Sequence, residues 1–165
     1  MNWYVLYTLG YRTNRIINNL NRHKDIIAFI PEYEICHHKT KEIIIKPMFN
    51  NYIFVKTQLN QNDFNDLLLN MRELNDGLIK QLKNNETSAL TADEIMFFSL
   101  ILDDHFIARL SHGYQENGIT RVISGPLKPF EEHIVKVDKH NYYAFLDLVF
   151  FDRRIRLGID IKSKN

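Results

Sequence analysis

Three short stretches carry residue types that could do chemistry. Cys36-His37-His38 sets a thiol beside two imidazoles. On a strand Cys36 and His38 point the same way, but two ligands do not make a tetrahedral zinc site and no spaced partner pair appears. The stretch reads as a hairpin tip. Asp103-Asp104-His105 groups carboxylates with an imidazole, a possible acid–base cluster, but it stands at a helix end and reads as linker solvation. The six glycines are all isolated, so no glycine loop cradles a phosphate. No serine stands in a nucleophile elbow. The chain is read as a non-enzyme without cofactor or metal.

Two other groupings point to binding. In Lys46-Pro47-Met48-Phe49-Asn50-Asn51-Tyr52-Ile53-Phe54-Val55, aromatics follow a turn and enter a strand. Tyr52 and Phe54 share one face; Ile53 and Val55 take the other. Either the aromatic face is an exposed docking patch, which Tyr4 or Tyr7 could join, or all are core with tyrosine hydroxyls at the rim. Beyond Arg121, the basic residues Lys136, Lys139, His140, Arg153, Arg154 and Arg156 fall at strand ends or on outward strand faces. With Tyr142 or Tyr143 they could line a groove for RNA phosphates and bases, or simply form a solvated face.

These groups need elements to hold them. Residues 3–8 read as a buried strand, broken at Gly10. Thr13 or Asn14 can cap a helix with Ile16, Ile17 and Leu20 on one face. A short strand at 26–30 stops at Pro31. Residues 33–38 and 42–46 form a hairpin, and 52–55 another strand. Asn60–Asn62 caps a helix over 63–70, and Asp76-Gly77 marks a turn. Thr91-Ala92-Asp93-Glu94 is a capping box that opens a helix to about Leu102. Residues 103–117 lack periodicity and read as a linker. After Arg121 only short strands follow, with turns at Ser124-Gly125-Pro126, 138–141 and Asp152-Arg153. Ile155, Leu157, Ile159 and Ile161 alternate with polar residues or glycine, a period of two. About fifty residues of such strands is the size of a small barrel.

The charge is segregated. The 165 residues carry 21 Lys+Arg and 20 Asp+Glu, a net charge of +1. Residues 12–46 hold seven basic and four acidic residues, 57–104 three and nine, and 113–165 nine and seven. That pattern suits different partners on different faces better than the near-zero sum suggests. A hydrophobic fraction of 45 % argues against disorder, and one cysteine excludes an intrachain disulfide scaffold. The apolar runs, such as 95–98 and 142–146, reach at most five residues and fall far short of the roughly 18–20 of a membrane span. Residues 1–8 show neither basic region nor cleavage site, so no signal peptide is expected. A cytoplasmic location follows as the expectation.

Trp3-Tyr4-Val5, the helix after it, Pro31-Glu32 and the stretch from Pro47 to Val55 resemble the N-terminal (NGN) domain of NusG-type transcription elongation factors. Val122-Ile123-Ser124-Gly125-Pro126-Leu127 and the strands beyond resemble their C-terminal KOW domain. The resemblance covers nearly the whole chain, with both motifs in order. General members have Phe-Pro-Gly-Tyr where this chain has Phe49-Asn50-Asn51-Tyr52, which is more like specialised paralogues such as RfaH and LoaP. Pro129 and Glu132 replace glycines of the usual KOW turn. Lys136-Val137-Asp138-Lys139-His140, Phe150-Phe151 and Arg156-Leu157-Gly158-Ile159 look closest to LoaP, an antiterminator of low-GC bacteria. The richness in Asn, Ile and Lys, read from A/T-rich codons, agrees.

The resemblance implies an α+β chain: an NGN-type α/β sandwich over 1–104, a linker over 105–117, and a five-stranded SH3-like KOW barrel over 118–165. It implies docking on the β′ clamp helices of RNA polymerase through Tyr7, Phe49, Tyr52 and Phe54, with reach toward the β subunit. Pausing and termination are then suppressed. Arg12, Arg15 and Arg22 are expected to face upstream or non-template DNA. Lys136, Lys139, Arg153, Arg154 and Arg156 are expected to bind a leader RNA. The alternative is a housekeeping NusG-like factor whose KOW domain binds a ribosomal protein or a termination factor. In both cases a monomer without membrane partner is expected. RfaH-like relatives can refold the tail as helices; the alternation over 155–161 favours the barrel.

Overall fold

Alternating branched and aromatic side chains make Asn2–Thr8 the first strand, β1, and Gly10 opens a 3₁₀ turn that ends it. The computed structural model describes residues 1–76, 78–82 and 89–163. The chain continues through α1 (Thr13–Leu20), β2 (Ile26–Phe29), β3 (Glu32–Cys36), β4 (Ile43–Pro47) and β5 (Tyr52–Thr57). Next come α2 (Gln61–Leu69), α3 (Arg72–Asn75), β6 (Ile79–Gln81) and α4 (Ala92–Ile101). Then follow β7 (Ile107–Ala108), β8 (Ser111–Glu116), β9 (Ile119–Ser124), a 3₁₀ segment at Lys128–His133, β10 (Ile134–Asp138), β11 (Tyr143–Phe150) and β12 (Arg153–Lys162). Gly77 of the expected Asp76-Gly77 turn lies outside the described residues. No described helix is long and apolar enough to cross a membrane.

The chain forms two compact units, Met1–Pro31 with Phe49–Phe97 and Glu32–Met48 with Phe98–Asn165. In the first, β2, β5, β1 and β6 form an antiparallel sheet in that order. Tyr4, Leu6, Ile53 and Val55 share one face and pack on Ile16 and Leu20 of α1 and on Phe64 and Leu68 of α2. Tyr4 stacks on Phe64 at 4.2 Å, and its hydroxyl donates to the Leu59 carbonyl at 2.8 Å. Each of these fully buried large side chains contributes about 1.5–3 kcal/mol.

The helix starts follow the sequence in part. Asn60 caps α2 by accepting the Asp63 amide at 2.9 Å. The capping box closes both ways, Thr91 N–H to Glu94 Oε1 at 2.9 Å and Glu94 N–H to Thr91 Oγ1 at 3.2 Å. The expected cap of α1 is not made. Its N-cap is Arg12, without a side-chain bond, and Thr13 instead pairs its hydroxyl with buried Thr8 at 2.8 Å.

In the second unit, β4, β3 and β7 form a three-stranded sheet, with Cys36 opposite Ile43 in the hairpin. The other sheet runs β10-β11-β12-β8-β9, antiparallel except for the parallel β12–β8 pair. It is a curled five-stranded sheet that fits an SH3-like barrel of the KOW kind, so the chain is α+β as expected. Leu127, Leu146, Leu157 and Ile159 are buried inside it. Residues 105–117 differ from the sequence reading, because Ser111–Glu116 is a strand of this sheet. Its inward positions, Ser111 and Gly113, are small and carry no hydrophobic signal. They have to be small: a Cβ at Gly113 would strike the Arg121 carbonyl. Gly125, at φ +101°, turns the chain against Ser111, whose hydroxyl accepts the Leu127 amide at 3.0 Å.

Candidate functional site

The first unit gathers its aromatics on the sheet face opposite the helices. The register sets Tyr7 across from Tyr52, Val5 from Phe54 and Trp3 from Lys56. Tyr7 meets Tyr52 edge-on at 5.6 Å, and Phe49 stacks on Tyr52 at 5.8 Å and on Phe54 at 6.2 Å. Phe29 continues the group, 5.9 Å from both Phe54 and Trp3. Lys56 Nζ lies 4.5 Å from the Trp3 ring centre, and burial pushes its ammonium pKa down. The structure therefore brings together all four residues named for docking. Tyr7 is 38 % exposed; Phe49, Tyr52 and Phe54 are covered. Tyr4 does not join them, since strand alternation turns it to the helix face.

Of Arg12, Arg15 and Arg22 only Arg15 lies within α1; Arg12 is its N-cap and Arg22 follows its C-terminal end. Arg22 is exposed and makes no ion pair among the described residues. Arg15 Nε lies 3.4 Å from Oε1 of Glu73, a buried carboxylate that Asn19 also binds. Arg12 is half-buried beside the Tyr11 ring, and its Nε has no hydrogen-bond partner among the described residues.

The barrel carries a row across three strands. Lys136 of β10 stands opposite Phe145 of β11, which stands opposite Arg156 of β12. Lys136 Nζ lies 5.8 Å from the Phe145 ring centre, and the Arg156 guanidinium carbon 4.5 Å from that of Tyr143. Behind it, the Tyr33 hydroxyl donates to that of Tyr143 at 3.4 Å. Burial and then this bond push the Tyr33 pKa up to about 12. Arg154 and Arg153 lie further along β12, opposite Val149 and Phe150, past an irregularity in the register. Lys139 sits in the β10–β11 turn. All five basic side chains are exposed. Phe145 was not singled out by sequence. The turn at 138–142 could have revealed it, because pairing Asp138 with Tyr143 brings Lys136 opposite Phe145.

The remaining candidates have structural partners. His37 stacks on His38 at 5.2 Å, and His38 lies 4.5 Å from His140. Among the described residues no group of three His, Cys, Asp or Glu is placed to hold a metal. Asp103 is an anchor rather than solvated linker. Its carboxylate accepts the amides of His105 and Ile107 and the Nε of Arg109, whose Nη1 reaches Glu34. Burial pushes the Asp103 pKa up, but these bonds outweigh it and hold the group below its usual range.

A family profile described as "Transcription termination factor nusG" matches residues 1–99. A search of curated proteins found no match. The matched stretch is more than half of the chain and contains the aromatic face, α1 and the capping box. The chain belongs to the NusG family of transcription elongation and termination factors, whose members generally bind RNA polymerase and are not an enzyme family.

Proposed function

We propose that the chain is an antitermination factor of the LoaP kind, guided to its transcript by RNA. The first part, within 1–104, docks on the β′ clamp helices of RNA polymerase and reaches toward the β subunit. Tyr7 meets the polymerase directly; Phe49, Tyr52 and Phe54 hold it from beneath. Bridging the cleft stabilises the closed-clamp state by selective binding and so disfavours pausing and termination. Arg22, with Arg12 and Arg15 beside it, faces upstream or non-template DNA. The barrel, within 118–165, takes a leader RNA on Lys136, Lys139, Arg153, Arg154 and Arg156. The protein acts as a cytoplasmic monomer without cofactor.

One observation carries the RNA reading: the Lys136–Phe145–Arg156 row puts cations on both sides of an aromatic ring, the pairing that single-stranded nucleic acid uses. The test is a mobility shift of a leader RNA by the full chain across a salt series. A salt-sensitive shift, weakened by Arg154→Ala with Arg156→Ala, is expected; no shift at low salt removes the RNA reading.

A second reading also has an observation behind it. Ile119, Ile123 and Val135 are exposed on the edge strands β9 and β10, and a recess of about 340 Å³ lies beside Ile119 and Val135. Such a face suits a protein partner, as in a housekeeping factor that binds a ribosomal protein or termination factor. Capture of such a partner without any RNA shift would favour it.

A further inference from the structure

Within the second unit, the hairpin tip of β3–β4 and the β10–β11 turn meet around a recess of about 230 Å³. Ile35, Ile44 and the Tyr143 ring give it apolar lining. His38, Lys46 and Asn141 add polar lining. Two of these polar residues are held in place. Asn141 bonds Asp138 through its side-chain and backbone nitrogens, at 2.9 and 3.0 Å. His38 lies against both His37 and His140. Lys41 Nζ donates to the Tyr142 hydroxyl at 3.0 Å and fastens the hairpin tip to the turn.

The size and chemistry narrow the ligand. The recess is smaller than the roughly 300–1,000 Å³ of pockets for drug-sized molecules. Its lining offers flat aromatic rings, apolar side chains and a few polar groups. Unpaired RNA bases are held by stacking and by hydrogen bonds to their edges in such surroundings. Lys39 and Lys41 on the hairpin tip and Lys139 in the β10–β11 turn are exposed and add positive charge suited to flanking phosphates. Tyr143 links the recess to the barrel row, since it lines the recess and also carries Arg156 over its ring.

We propose that this recess takes one unpaired nucleobase of an RNA whose neighbouring nucleotides lie on the Lys136–Phe145–Arg156 row. The proposal rests on the RNA reading of the barrel and extends it to hairpin residues 35–46. RNA recognition then needs both segments that build the second unit, rather than the tail strands alone.

The test uses the full chain with ¹³C-labelled isoleucine methyls and two probes: each ribonucleoside 5′-monophosphate, and a mixed-sequence single-stranded RNA decamer. The Ile35 and Ile44 signals should shift with the decamer while Ile16, in the core of the first unit, stays still. Ile44→Trp, which fills the recess, should weaken the decamer about fivefold, and Asn141→Ala, at an exposed turn, about threefold. Unmoved Ile155 and Ile159 signals, from the core of the second unit, show that each variant folds; if the tryptophan is not accommodated, Asn141→Ala decides. A decamer that binds, and weakens with Arg156→Ala, while Ile35 and Ile44 stay still and the recess variants bind normally, overturns the recess and leaves the RNA reading standing. No decamer binding overturns the RNA reading; the monophosphates then decide the recess, which fails if they too leave Ile35 and Ile44 unmoved.

Discussion

Arg156 lies over Tyr143, its guanidinium carbon 4.5 Å from the ring centre. Cation and ring face the same side of the barrel, and each is held by its neighbours. Tyr143 is bonded to buried Tyr33, and Arg156 stands in register with Phe145 and Lys136. A guanidinium held close to an aromatic ring can meet a phosphate while the ring's open face accepts a base. Removing it should cost both terms. In a salt titration of leader RNA, Arg156→Ala should lower the slope of log K against log salt by about 0.7, as expected for one lost phosphate contact on a single strand. An unchanged slope would take Arg156 out of the interface.

Tyr7 and Phe54 belong to one aromatic group but predict different outcomes. Tyr7 is 38 % exposed, whereas Phe54 is fully buried. Tyr7→Ala should weaken capture of RNA polymerase and alter stability by about 1 kcal/mol or less. Phe54→Ala should cost about 3–5 kcal/mol of stability, and weaker capture would follow from unfolding. Urea unfolding beside a pull-down separates the two. The double variant Phe49→Ala with Tyr52→Ala needs the same control, because both side chains are covered. Full capture by Tyr7→Ala would remove the direct contact.

Gly158 marks where β12 passes close to β3. A Cβ there would collide with the Glu34 carbonyl, a backbone atom that cannot swing aside. Gly158→Ala should therefore destabilise the second unit by about 1–3 kcal/mol, the range for overpacking. A lowered urea midpoint with an unchanged slope is the expected reading.

Asp103 should contribute to acid sensitivity. Its folded pKa lies below the unfolded value near 3.8. The stabilisation is thus complete above that value and is lost as pH falls from it through the folded pKa. Asp103→Asn should unfold less steeply with pH in that window than the unaltered chain. Equal slopes in an acid titration followed by circular dichroism would contradict this.

Much of this was legible from residues. The capping box at Thr91–Glu94 and the Asn60 cap announced their helices, because capping depends on neighbours a few positions away. The two faces of β5 could be read from alternation. What escaped depended on distant partners. Thr13 looks like a cap, but Thr8 claims its hydroxyl. β8 hides behind Ser111 and Gly113, small because β9 passes close to it. Sequence could name Tyr7, Phe49, Tyr52 and Phe54 as a group, yet strand pairing and packing set which of them reaches the surface. The basic residues of the barrel were visible singly; the register of β10, β11 and β12 aligned two of them around Phe145.

The most direct measurement is readthrough of an intrinsic terminator in vitro, with purified RNA polymerase and a template carrying the leader from the gene's own neighbourhood. Readthrough should rise when the protein is added and fall back with Arg154→Ala plus Arg156→Ala or with a scrambled leader. Readthrough that stays at the protein-free level on the native leader, with polymerase still captured, would contradict an RNA-guided antiterminator.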